Sequence, residues 1–128
     1  MSWQAYINYH LLSTQKIKHA IICGHDATMW ASSTGFPVTA DELKSLVSKY
    51  EDIGAMSANG LRLAGQKYLF LSNDAEKGVI RGKLGASGIH CIKTKQTYII
   101  CLYEEPAKPQ EAATVTERLG EYLISVGY

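Results

Sequence analysis

The sequence predicts an α+β fold in which helices cover the faces of an antiparallel sheet. Three observations predict it. Amphipathic helical patterns stand at both ends of the 128-residue chain. Short runs rich in β-formers fill the middle, from Leu61 to Tyr103. Tight turns join neighbouring runs, and only antiparallel strands can be joined so closely. The length predicts one domain, residues 1–128, able to bury roughly two-thirds of the surface its unfolded chain exposes.

From Ser2 to about Ser13 the chain reads as a helix. Ser2 is a good N-cap, and Trp3, Tyr6, Ile7, His10 and Leu11 fall on one helical stripe. Ala20–Cys23 and Met29–Ser32 read as short strands around a Gly24-His25-Asp26 turn. Thr39-Ala40-Asp41-Glu42 is a capping box that opens a helix through Leu43, Leu46, Val47 and Tyr50. Asn59-Gly60 is a hairpin-type turn signal leading into Leu61–Ala64 and then Lys67–Ser72. Residues 73–78 read as a loop before the strand Val79–Lys83. Ile89–Lys93 and Thr97–Tyr103 are the clearest strands, joined near Lys95-Gln96. If that turn has two residues, Cys91 lies opposite Ile100 and Cys101 opposite His90. The Cys91 and Cys101 thiols then point to opposite faces and cannot bridge. Pro106 and Pro109 punctuate the next loop, and Gln110–Val126 closes the chain as a helix. Its apolar side holds Ala112, Val115, Leu119, Tyr122, Leu123 and Val126.

Charge and composition exclude several classes. Net charge is +1, so bulk positive charge cannot drive nucleic-acid binding, and no nucleic-acid partner is expected. The apolar runs are too short to span a bilayer. Three cysteines cannot all pair within the chain, no glycosylation sequon is present, and the N-terminus lacks a signal-peptide pattern. A reducing cytoplasmic setting is the expectation. Charge is nonetheless uneven. Residues 62–95 carry Arg62, Lys67, Lys77, Arg81, Lys83, Lys93 and Lys95 against only Asp74 and Glu76. That block is either a solvated strand face or a docking surface for an acidic partner or an anionic lipid.

Motifs for bond chemistry are weak. Gly78-Val79-Ile80-Arg81-Gly82-Lys83 has three residues between its glycines where a phosphate loop has four, and Leu84 stands where Ser or Thr would hold magnesium. Bends and close backbone approach explain the glycines at 82, 85 and 88 more simply. Cys23-Gly24-His25 and His90-Cys91 lack zinc-site spacing. Neighbours on a strand face opposite ways, so His90 is badly placed to activate Cys91. The expectation is a protein that is not an enzyme and carries no cofactor or catalytic metal.

Aromatic placement carries more information. Two Trp and eight Tyr outnumber two Phe, and Tyr and Trp suit surfaces that are half apolar and half wet. Trp3 and Tyr6 sit one turn apart on the first helix, Tyr122 and Tyr128 on or beyond the last, and Trp30 on an early strand. If the terminal helices pack side by side, these five form one exposed strip. Such a strip suits a polyproline II ligand, whose rings pack on flat aromatic faces and whose free carbonyls accept from indole N–H and phenol O–H. On spacing alone, Trp3 and Tyr6 also fit a second reading, as core residues of an amphipathic helix.

Several segments together resemble the profilin family, with a leaning toward its plant and protist members. Met1-Ser2-Trp3-Gln4-Ala5-Tyr6-Ile7 is similar to its N-terminal signature, and residues 59–68, NGLRLAGQKY, to its mid-chain segment. Residues 79–85, VIRGKLG, resemble the basic strand and glycine turn of plant and protist profilins. Glu104-Glu105-Pro106 and residues 117–124, ERLGEYLI, resemble the final loop and helix. The resemblance implies a central antiparallel sheet with the N- and C-terminal helices on one face and smaller helices on the other. It implies binding of monomeric actin, regulation of polymerisation and nucleotide exchange, and association with the cytoskeleton. It also implies proline-rich partners such as formins, and phosphoinositide lipids. The family's polyproline aromatics fall on Trp3, Tyr6, Trp30, Tyr122 and Tyr128. Its actin-binding positions fall on Lys67, Arg81 and Lys83, with Lys95 and Arg118 as further candidates. An alternative from the same resemblance is a proline-rich-peptide module with weak or lost actin binding.

Three departures stand out. Asn8-Tyr9-His10 occupies positions where relatives often carry acids. Leu84 replaces a Lys common in the glycine turn, which removes a charge expected to serve phosphoinositides. Pro109-Gln110 lacks a Gly often found after that proline, so the entry to the last helix is expected to differ.

Overall fold

A computed structural model describes residues 2–128. Its centre is a seven-stranded sheet in which every neighbouring pair is antiparallel. The strands are β1 (His19–Gly24), β2 (Met29–Ser32), β3 (Leu61–Leu63), β4 (Gln66–Asp74), β5 (Val79–Leu84), β6 (Ser87–Lys93) and β7 (Thr97–Tyr103). Across the sheet they run β2-β1-β7-β6-β5-β4-β3.

Side-chain alternation splits the core into two layers. Ile21, Cys23, Ile80, Ile89, Cys91, Tyr98 and Ile100 face one side. There they meet Leu43 and Leu46 of α2 (Ala40–Lys49) and Met56 of α3 (Ile53–Asn59). Ala20, Ile22, Val79, Ile92, Ile99 and Cys101 face the other side. That layer is closed by Ile7 and Leu11 near the N-terminus and by Leu119 and Leu123 of α4 (Pro109–Ser125). Terminal helices thus share one face and the smaller helices the other. Because both faces are covered, all of β7 is buried and its sequence reads as nearly unbroken apolar residues.

Register follows the two-residue turn at Lys95-Gln96. Cys91 pairs with Ile100 and His90 with Cys101, and Cys91 and Cys101 lie in opposite layers. All three cysteines are buried and free. Close approach accounts for two of the strand glycines: a Cβ on Gly82 would stand 2.9 Å from Leu61, and one on Gly88 would enter the Tyr103 ring.

Three local expectations change. The N-terminal segment is not one regular helix. It makes a single α-helical turn, α1 (Trp3–Ala5), widens to π-helical winding over Tyr6–Leu11, and tightens to 3-10 winding over Leu12–Thr14. The Ser13 hydroxyl donates to the Tyr9 carbonyl and the Thr14 hydroxyl to that of Leu11, both at 2.6 Å, competing with the backbone where the helix tightens. Asn59-Gly60 is not a hairpin turn but the end of α3: Gly60, at φ 75°, donates its N–H to the Met56 carbonyl at 2.8 Å. β4 also runs two residues into the expected loop, to Asp74, with a register shift between Phe70 and Ser72. At the entry to the last helix, Pro109 takes the first helical position, where its missing N–H costs nothing.

Candidate functional site

The five aromatics named from the sequence converge. Trp3 is the hub, with ring centroids 5.5 Å from Tyr6, 4.9 Å from Trp30 and 5.0 Å from Tyr128. Tyr6 stands 6.1 Å from Tyr122. The N-terminal segment supplies Trp3 and Tyr6, β2 supplies Trp30, and α4 with its exit supplies Tyr122 and Tyr128. Trp3, Tyr6 and Trp30 are half-buried against the apolar layer beneath, whereas Tyr122 and Tyr128 are exposed. Both readings of Trp3 and Tyr6 therefore hold in part: each ring has one side on the core and another on the surface.

Backbone packing sets the geometry. Trp30 lies against Gly24, where a Cβ would come within 3.1 Å of the indole nitrogen. Tyr128 is tied down, not frayed. Its N–H donates to the Leu123 carbonyl, its own oxygen accepts from the Thr94 hydroxyl, and Gln96 Nε2 donates to the neighbouring Gly127 carbonyl, each at 2.8 Å. The β6–β7 turn thus holds the end of the strip in place. Interaction with the Tyr122 hydroxyl pushes the Tyr6 phenol above its ordinary value, so it remains an O–H donor at physiological pH.

Sequence reasoning missed one member of this group. The exposed His10 ring lies 5.4 Å from Tyr6 and stacks nearly parallel to Tyr122, at 9° and 6.4 Å. Its spacing of four residues from Tyr6 was the available signal.

The basic positions do not converge in the same way. Arg81 and Lys83 are exposed on one face of β5, and Leu69 of β4 pairs with Lys83. Leu69 and Leu71, 68% and 56% exposed, add an apolar element that the sequence reading did not include. Lys67 sits on β4, opposite Arg62 of the edge strand β3, and lines a hollow with Asp41 and Glu42. Lys95 is at the β6–β7 turn, one residue before the Gln96 that holds the end of the strip. Arg118 lies on the flank of α4 that faces His10 and Thr14, while its neighbour Glu117 faces β6. The structure therefore brings Arg81 and Lys83 together and sets the other three apart.

Groups with catalytic potential are in poor positions for it. Burial pushes the Cys23 and Cys101 thiols up to about 12 and Cys91 well above its ordinary value, so thiolate is scarce. His90 Nε2 meets the Glu117 carboxylate at 2.9 Å on the α4 side of the sheet, away from Cys91. Among the described residues no group of three or more His, Cys, Asp or Glu could hold a metal, and no helix is long and apolar enough to cross a membrane.

The profilin family model matches residues 1–128. The chain belongs to the profilin family. It is 48% identical to a profilin of Drosophila melanogaster and 44% identical to one of Bombyx mori, in each case over all of both chains. The solved structure of Acanthamoeba castellanii profilin II aligns with a TM-score of 0.94 at 36% identity, covering 99% of this chain and 100% of that one. The plant and protist leaning expected of the chain is not confirmed, since the relatives at 44% and 48% are insect profilins. Mouse profilin IIa, solved in complex with a double repeat from the FH1 domain of mDia1, has the same fold at 20% identity and a TM-score of 0.82, covering all of both chains. Profilins are non-enzymatic actin-binding proteins, and the family's activities are binding and regulation.

Proposed function

We propose that this profilin binds actin monomers on one face and proline-rich segments at the aromatic strip, linking the two. The observation that carries the reading is the convergence of Trp3, Tyr6, Trp30, Tyr122 and Tyr128 from both chain ends onto one accessible patch. Ring spacings of 4.9 to 6.1 Å place about one ring for every two residues of a polyproline helix, which rises about 3.1 Å per residue. The mouse relative's complex with a formin segment supports this class of ligand.

The actin face we assign to Arg81 and Lys83 with exposed Leu69 and Leu71 beside them. Among the described residues neither basic side chain pairs with a carboxylate, so both are available to an acidic partner. Preferential binding to actin's open conformation would speed nucleotide exchange by population shift, without bond chemistry here. The same two cations are the candidates for phosphoinositide headgroups, with Leu84 supplying no charge beside them. The setting is the actin cytoskeleton. Two measurements test the reading. Retention on poly-proline resin tests the strip, and fluorescence titration with actin monomers tests the basic face. Retention without actin binding identifies a proline-rich-peptide module; failure of both rejects the reading.

A further inference from the structure

Beside the aromatic strip lies a hollow of about 260 Å³, lined by His10, Thr14, Val115, Arg118, Leu119 and Tyr122. It is a furrow between two ladders. Tyr6, His10 and Thr14 follow at four-residue spacing on the N-terminal segment. Val115, Arg118 and Tyr122 follow at helical spacing on α4. His10 and Tyr122 line the furrow and also make ring contacts with Tyr6 of the strip, so the two surfaces are continuous. Arg118 is exposed, and among the described residues no carboxylate pairs with it. Lys16 and Glu111, paired at 2.8 Å, already satisfy each other.

We propose that the His10–Arg118 hollow is a subsite for the residue flanking the proline run of a ligand, and that it selects an acidic side chain. The inference rests on the polyproline reading of the strip. A polyproline helix leaving the Tyr6–Tyr122 pair toward His10 runs onto this furrow. Its flanking side chain passes over the imidazole and the apolar wall of Val115 and Leu119, and a carboxylate at its end meets the guanidinium. Arg118, placed by the family resemblance among the actin contacts, then serves proline-rich partners.

The test uses the full chain and capped peptides: ten prolines alone, and ten prolines with Glu, Lys or Leu added at either end. Both ends are needed because the ligand's direction along the strip is open. Tryptophan fluorescence titration reads affinity. The Glu-flanked peptide should bind about two- to fivefold tighter than the Lys-flanked one, the value of an exposed ion pair, and the margin should shrink in high salt. Arg118→Gln should erase the margin while leaving unflanked prolines bound as before. Arg118→Glu should reverse it, a gain for Lys that a misfolded variant cannot give. Equal affinities for Glu and Lys flanks in the native protein, or a margin that persists in Arg118→Gln, overturn the subsite alone. Absence of binding to ten prolines overturns the polyproline reading and the subsite with it.

Discussion

At the scale of single residues, the aromatics of the proposed strip face two ways. Trp3 touches Tyr6, Trp30 and Tyr128 and also rests on the apolar layer beneath. Trp3→Ala should therefore abolish poly-proline retention, since losing one aromatic anchor of a small interface costs on the order of 2 kcal/mol or more. It should also lower stability, but by less than the ~3–5 kcal/mol of a fully buried aromatic truncated to Ala. Circular dichroism melts beside the resin assay separate the two effects. A folded Trp3→Ala protein that still binds poly-proline with native affinity would remove the strip as the site. The aromatic identities were legible from residue type and position. For His10 the four-residue spacing pointed only to Tyr6; its stacking on Tyr122 depends on how α4 docks and was not legible. The anchoring of Tyr128 by Thr94 and Gln96 was hidden for a different reason: those residues lie 34 and 32 positions earlier in the chain, and only the hairpin register brings them there.

Elements were legible where local chemistry decides them. The capping box at α2 is present as read, with the Thr39 hydroxyl accepting from Glu42 N–H at 3.1 Å and Glu42 Oε1 accepting from Thr39 N–H at 3.0 Å. What the motif did not show is that the same carboxylate also accepts from Ala64 and Gly65, pinning the β3–β4 turn to the helix. α3 escaped because Gly54, Ser57 and Asn59 lower its helix propensity, and Asp52, which caps it through Ala55 N–H at 3.0 Å, stands outside any box motif. The docking of α4 on β6 offers a pH test. Burial lowers the His90 value; Arg81 adds to that, while Glu117 opposes it. Lys77 lies 3.7 Å from the other Glu117 oxygen. Because the folded state resists protonating His90, its contribution is intact above the free histidine value of about 6.5 and is lost as pH falls below it. Denaturant melts between roughly pH 7.5 and 5.5 should show stability falling in the native protein and falling less in His90→Gln. His19, whose value burial also lowers, contributes equally to both proteins and cancels in the comparison. Identical slopes would mean that His90 does not carry this dependence.

For the whole molecule, the sheet keeps the two proposed binding surfaces apart. The order β2-β1-β7-β6-β5-β4-β3 puts Trp30 on one edge strand and Arg81 and Lys83 on the far side of α4. Net charge along the sequence marked residues 62–95 as a basic block, yet a linear block says nothing about how its members divide in space. Strand alternation was enough to join Arg81 to Lys83. It was not enough to place Lys67, Lys95 or Arg118, whose positions depend on edge geometry and helix docking. The separation makes a sharp expectation. If this face meets an acidic actin surface as proposed, Lys83→Glu sets acid against acid, and like charges juxtaposed in an interface cost several times what deleting a rim charge costs, while encounter also slows. An exposed strand charge without a partner contributes little to stability, so the variant should melt close to the native protein. Poly-proline binding should survive, because no member of the strip lies on β5. Actin titration and poly-proline retention on the same preparation should therefore split, the first lost and the second kept. Loss of both in a folded variant would mean that the surfaces are coupled through the sheet. Unchanged actin binding across a salt series would reduce Arg81 and Lys83 to a solvated face and move the actin site elsewhere, with exposed Leu69 and Leu71 the next residues to change.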